Sequence, residues 1–140
     1  MIQRTPSEDI KRIFQLQSAH ANLMRLRATS VSERLRKVRA VKSYLLRKEN
    51  MEMLCKALHT DLRKSRSETE ANELAPVLLV IKHIEDNLRK WVSDRKVETP
   101  LAMSGLSSHV RYDSKGAVLV IAPWNYPFQL VLVPFLHAMV

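Results

Sequence analysis

Glycine is nearly missing: Gly105 and Gly116 are the only two in 140 residues. Turns that cradle phosphates use glycine where backbone must approach the ligand closely, so a complete nucleotide-binding domain is not expected here. Cys55 is the only cysteine, which excludes an internal disulfide and fits a reducing compartment; a cytoplasmic setting is the expectation. The first ten residues carry Arg4, Glu8 and Asp9 and lack the apolar core of a signal peptide. Charged side chains are absent from residues 117–140, a stretch of membrane-spanning length. Pro123, Pro127 and Pro134 interrupt it, with Asn125, Gln129 and His137 between them. In lipid these would leave backbone and side-chain polar groups unpaired. A buried strand followed by a buried helix is therefore favoured over an integral membrane span. His20, His59, His83, His109 and His137 are scattered without ligand spacing, so no metal site is expected.

What is present suits a soluble domain with a real core: 46% hydrophobic and 26% charged residues. The formal charge of +9 belongs almost wholly to the first hundred residues. Such an excess is compatible with nucleic acid or an anionic membrane. However, Arg and Lys alternate with Glu and Asp, and aromatic residues form no interleaved pattern with them. Solvated helix faces are the better reading, and no nucleic-acid partner is expected.

The first half reads as helices. Ser7 is assigned as a cap, with Glu8 and Asp9 favourable in the first turn; Ile10, Ile13, Phe14, Ala21 and Met24 follow near helical spacing. A break falls around residues 28–30. Ser30 and Glu33 form a capping box, opening one long helix with Leu35, Val38, Val41 or Lys42, Leu45, Cys55, Leu58 and Leu62 along its apolar stripe. Cys55 on that stripe is inert packing, since reactive cysteines need an electropositive, accessible setting. Ser67 and Glu70 repeat the capping box. Leu74, Leu78, Ile81, Ile84, Leu88 and Trp91 then share one helix face, with Pro76 either kinking that helix or restarting it.

The character changes near Pro100. Residues 101–108 are loop-like. Residues 108–112 predict a short strand, and Asp113-Ser114-Lys115-Gly116 a turn. Ala117-Val118-Leu119-Val120-Ile121 is a continuous apolar run of the kind found in strands buried on both faces. Pro123 ends it. After Pro127 an apolar helix begins, with Pro134 awkward inside it. Such a strand needs partners at its edges and cover on its faces.

The segment that carries chemistry is Val118-Leu119-Val120-Ile121-Ala122-Pro123-Trp124-Asn125-Tyr126-Pro127-Phe128. In open α/β sheets, ligands bind at the carboxyl ends of strands. The Asn125 amide is an uncharged N–H donor suited to a developing oxyanion, and the flanking prolines restrict the loop. An alternative reading has Asn125 capping the following helix and Trp124 in the core. Physical reasoning on the sequence leaves both open.

This segment resembles the first strand and substrate loop of the aldehyde dehydrogenase superfamily, whose signature is Pro-Trp-Asn-[Phe/Tyr]-Pro. Tyr126, and Gly116 leading into the run 118–122, look closest to the class 3-like, fatty-aldehyde branch. Arg34-Leu35, Ala57-Leu58, Asp61-Leu62-Arg63-Lys64, Glu68, Glu73 and Leu88-Arg89-Lys90-Trp91 are similar to the family's N-terminal helices, and Thr99-Pro100-Leu101 to the lead into its bridging arm. The resemblance implies an α/β fold: N-terminal helices plus the first strand–loop–helix unit of a Rossmann-like cofactor domain, truncated. It divides the chain into a helical part at 1–105, an arm strand and turn at 106–115, and an incomplete Rossmann-like core at 116–140. It implies that Asn125 is the oxyanion-hole amide, that Ala122, Pro123 and Trp124 border the nicotinamide of NAD or NADP, and that Tyr126 lines the substrate funnel. Ser114 departs from the family, which often has Pro there; the change should loosen the turn.

By the same resemblance the nucleophilic Cys, the general-base Glu, the ribose-binding Lys and the Gly-rich turn all lie downstream of these residues. The expected protein is therefore a fragment of a homodimeric, NAD(P)-dependent enzyme acting on a small-molecule aldehyde, inactive alone and exposing apolar surface from Val118 onward. A basic helical interaction module and a truncated relic without activity are the alternatives.

Overall fold

The computed structural model describes residues 5–140; Arg4, part of the N-terminal reading above, lies outside them. The chain forms two compact units, Met1–Thr29 with Ser93–Leu119, and Ser30–Val92 with Val120–Val140.

In the first unit, α1 (Ser7–Ser18) starts after Pro6. Ser7 is inside the helix and no side chain caps it; the Pro6 carbonyl instead accepts from the N–H groups of Asp9 and Ile10. A break at Ala19, invisible to the spacing of apolar residues, separates α2 (His20–Arg27). β1 (Arg95–Val97) pairs antiparallel with β2 (Ser108–Val110), Lys96 opposite His109. The strand expected at 108–112 is thus formed over its first three residues, while Arg-Lys-Val carried no alternation that would announce β1. The Thr99 hydroxyl oxygen accepts from the Ser108 N–H at 3.1 Å. Arg111 grips Asp94 with two bonds of 3.0 and 2.7 Å, holding that carboxyl below its ordinary pKa. At the turn, Gly116 has φ of +98°, which demands glycine; a Cβ there would also lie 3.1 Å from Leu23 Cδ2, close enough to require that side chain to shift. Its N–H donates to Ser114 Oγ at 3.3 Å. Ser114 thus contributes a side-chain bond to the turn.

The second unit is helical. Ser30 caps α3 (Val31–Leu45) as expected, accepting from the Glu33 N–H at 3.2 Å. The single long helix expected after it is two: the chain turns at Leu46 and Arg47 and resumes as α4 (Lys48–Leu62). Asn50 braces the turn by donating to the Tyr44 carbonyl at 2.7 Å. The next capping box is also displaced. Ser65 accepts from the Glu68 N–H at 3.1 Å, so α5 (Arg66–Thr69) begins before Ser67. A widened π-helical turn, Glu70–Leu74, joins it to α6 (Ala75–Trp91), with Ala75 N–H bonded to the Glu70 carbonyl. Pro76 has no N–H to give and its ring crowds the preceding turn, so the helix widens and restarts there.

The core is built from Leu35, Val38 and Leu45 of α3, Leu74 of the π turn, Val77, Ile81, Ile84 and Leu88 of α6, and Leu136 of α7 (Pro127–Met139). Val77, rather than the expected Leu78, is at its centre; Leu78 and Trp91 are only half-buried. Glu85 accepts from Lys42 at 2.7 Å and Arg39 at 3.0 Å, tying α6 to α3. Several exposed charges pair locally, four residues apart, as in Glu33–Lys37, Lys48–Glu52, Arg66–Glu70 and Lys82–Asp86.

Two expectations about the apolar segment 117–140 are corrected. The run 117–121 is not a strand, and Val118, Leu119 and Ile121 are 54%, 80% and 84% exposed. A β-branched run specifies a strand only when another edge accepts its backbone bonds, and no such edge faces it among the described residues. The helix after Pro127 is real, but only one side packs: Leu136 is buried while Val131 and Phe135 are each 44% exposed. Pro134 lies within α7 and cannot donate to the carbonyl four residues back. Among the described residues no helix is long and apolar enough to cross a membrane.

Two outcomes follow for this unit. Ile81→Ala is expected to cost about 2–5 kcal/mol in urea unfolding, whereas Leu79→Ala, at a position 68% exposed, stays within about 0.5 kcal/mol; equal costs would contradict the assigned core. Hydrogen bonding from Lys42, then Arg39, outweighs burial and holds the Glu85 pKa below its ordinary 4.5. A depressed folded pKa stabilises above the unfolded carboxyl value and is lost as pH falls through the folded one. The stability gap between the parent and Glu85→Gln should thus be widest at neutral pH and narrow below about pH 4.3. A gap unchanged at strongly acid pH would contradict the pairing.

Candidate functional site

Pro-Trp-Asn-Tyr-Pro lies wholly in the second unit. Trp124 and Asn125 form a turn, and Tyr126 precedes α7 with φ −134° and ψ 68°. That conformation follows from Pro127, whose ring disfavours the helical region for the residue before it. Pro127 opens α7, where its missing N–H costs no hydrogen bond, and Leu130 N–H makes the first helical bond to the Tyr126 carbonyl at 3.0 Å. No local side chain caps α7.

Its cap comes from far away in sequence. Glu73, in the π turn, is fully buried; Lys64, between α4 and α5, is 7% exposed. Lys64 Nζ donates to Glu73 Oε1 at 2.6 Å and to the Asn125 carbonyl at 2.8 Å. The same ammonium lies 3.9 Å from the centroid of the Tyr126 ring, a cation–π contact strengthened by the lack of solvent. The second carboxylate oxygen, Glu73 Oε2, accepts from the Gln129 N–H at 2.9 Å. It thereby satisfies an orphan donor in the first turn of α7 and places negative charge at the positive end of that helix.

The local sequence explains how Lys64 turns inward. α4 ends on Arg63 in the left-handed conformation, φ 57°, which stops the helix and redirects the chain. His59 Nδ1 lies 3.2 Å from the Lys64 carbonyl, and Ser65 starts the next helix immediately afterwards. The π turn places Glu73 and Leu74 side by side in the interior. Removing one partner of such a buried pair leaves an uncompensated charge, worth about 3–5 kcal/mol.

The residues singled out in the sequence are held together in this loop, with different exposures. Asn125 is exposed, and its carboxamide has no hydrogen-bond partner among the described residues. Trp124 is 58% exposed and Pro123 is exposed, while Ala122 and Tyr126 are half-buried. The alternative roles are not those seen here: Asn125 does not cap α7, a task that falls to Glu73, and Trp124 is outside the core. In the sequence, Lys64 and Glu73 stand out only as points of resemblance. The available signal was a glutamate inside the apolar spacing that leads to Val77 and Ile81. Cys55 is half-buried on α4. Among the described residues no three His, Cys, Asp or Glu side chains gather to hold a metal.

Chemically, the loop offers one free amide donor on a backbone fixed through its own carbonyl. Beside it are exposed loop backbone and an indole against which a planar ring can rest.

The aldehyde dehydrogenase family model matches residues 1–140. The chain is 38% identical to the 4,4'-diaponeurosporen-aldehyde dehydrogenase of Staphylococcus aureus over 107 residues, covering 76% of this chain and 22% of that protein. It is 42% identical over 95 residues to the human aldehyde dehydrogenase family 3 member B1, covering 65% of this chain and 19% of that protein. A solved structure, the substrate-bound state of Staphylococcus aureus AldH, superposes with a TM-score of 0.83 at 32% identity, covering 93% of this chain and 28% of that one. The chain thus spans roughly a fifth to a quarter of the length of these relatives. A helical chain with a two-stranded sheet, matched by the family model from end to end and similar in structure to a solved member, belongs to the aldehyde dehydrogenase family.

Proposed function

We propose that this chain forms part of an NAD(P)-dependent aldehyde dehydrogenase that oxidises aldehydes to carboxylic acids through a cysteine thiohemiacetal. The observation that carries the reading is Asn125: an exposed, unengaged carboxamide on a loop whose backbone is held by Lys64. When a thiolate adds to an aldehyde carbonyl, negative charge develops on the carbonyl oxygen. An N–H donor already in place lowers the energy of that state without reorganising at the moment of reaction. The Asn125 side-chain N–H is that donor. Cys55, half-buried on a packed helix, is not the nucleophile.

NAD or NADP, when bound, accepts the hydride. Ala122, Pro123 and Trp124 are proposed to border its nicotinamide ring, and the exposure of Pro123 and Trp124 is consistent with a planar group resting there. Tyr126 has one ring face against the Lys64 ammonium, and the solvent-accessible remainder is proposed to line the aldehyde's approach. The exposed apolar run 117–121 is proposed as the first strand of a Rossmann-like sheet, paired in the complete enzyme. The arm at 106–115 is proposed to join subunits of a homodimer, in a cytoplasmic enzyme without a nucleic-acid partner.

The unpaired apolar surface and the small glycine count both support a partial catalytic unit. The purified 140-residue chain is expected to show no aldehyde-dependent formation of reduced cofactor; a measurable rate would refute this. In the complete enzyme, Asn125→Ala should lower turnover by about 10²–10³-fold. A loss below tenfold would mean that Asn125 only shapes the loop.

A further inference from the structure

Three features of the loop and the first turn of α7 converge on a single buried ion pair. The Asn125 carbonyl, the face of the Tyr126 ring and the Gln129 N–H are all engaged by Lys64 or Glu73, at 2.8, 3.9 and 2.9 Å. The two charges are joined to each other at 2.6 Å and are almost completely removed from solvent. Fixing the Asn125 carbonyl fixes the peptide plane that follows its Cα. Fixing Gln129 N–H sets where α7 begins. Those two constraints set where the Asn125 side chain leaves the main chain; its carboxamide has no partner of its own among the described residues, so its placement rests on that main chain.

We infer that Lys64 and Glu73 are positioning residues for Asn125, setting the oxyanion donor by gripping the loop's main chain from behind. The inference rests on the reading of Asn125 as that donor. Neither charge touches the reacting atoms in this arrangement; each acts through the backbone that carries the amide. Their role is more than filling space. A methionine in place of Lys64 has similar length but donates nothing to the Asn125 carbonyl. An arginine can still reach both a carboxylate and a carbonyl.

The test is a mutant cycle in the complete dehydrogenase. Lys64→Met combined with Glu73→Gln removes both charges, so no unpaired ion remains to unfold the protein, and Gln keeps an acceptor for the Gln129 N–H. Circular dichroism establishes that each variant is folded before its kinetics are read. The double variant is expected to lose about 10–10² in kcat, as for an ångström-scale misplacement of a reacting group, with KM little changed. Added to Asn125→Ala it should cost nothing further, since the donor it positions is already gone. Lys64→Arg should recover most of the kcat. Losses that multiply with that of Asn125→Ala would overturn the inference, as would an unchanged kcat beside a large Asn125→Ala effect. A small effect of Asn125→Ala alone would instead sink the oxyanion reading, and this inference with it.

Discussion

A lysine and a glutamate, nine positions apart and both withdrawn from water, hold the Pro-Trp-Asn-Tyr-Pro loop to the helices of the second unit. Desolvating two charges is costly, and their attraction compensates only when the remaining hydrogen-bonding capacity is used. Here it is used: the lysine completes its donors on a backbone carbonyl and a ring face, and the glutamate spends its second oxygen on a helix N-terminus. The loop and α7 are thus part of how the pair is satisfied. Burial of the pair and order in the loop require each other.

The helical scaffold supplies the interior in which the pair is buried. α3 and α6 supply most of the apolar interior, and the Glu85 contacts with Arg39 and Lys42 close one side of it. The left-handed Arg63 ends α4 where Lys64 can turn inward, and the π turn before Pro76 sets Glu73 beside Leu74. Both are departures from regular helix geometry, and both serve the same contact. Locally unfavourable backbone tends to persist where surrounding structure over-determines it.

Much of this was legible in the sequence where a local rule operates. Ser30 announces α3, Pro127 opens α7, Gly116 requires its turn, and Pro123 to Pro127 brackets the loop that leads into α7. What escaped depends on choices that local rules leave degenerate. Ser65 and Ser67 each precede a glutamate by three residues, and only packing selects Ser65. The break at Leu46 and Arg47 interrupts a continuous apolar stripe without glycine or proline to signal it. β1 has three residues and no alternation. The run 117–121 has every property of a buried strand except a neighbour. Lys64 and Glu73 were the hardest to see, since their roles follow from a tertiary meeting with residues 125–129 that neither propensity nor spacing encodes.

The most direct measurement is amide hydrogen exchange at Gln129, in the parent chain and in Glu73→Ala. As the third residue of α7, its N–H has no intrahelical acceptor, so protection there beyond any change shared by core amides such as that of Ile84 reports the buried carboxylate. Slow exchange in the parent, accelerating in Glu73→Ala toward that of an open amide, is the result predicted by a loop held through the ion pair. Fast exchange in the parent, or protection unchanged by the substitution, would contradict it.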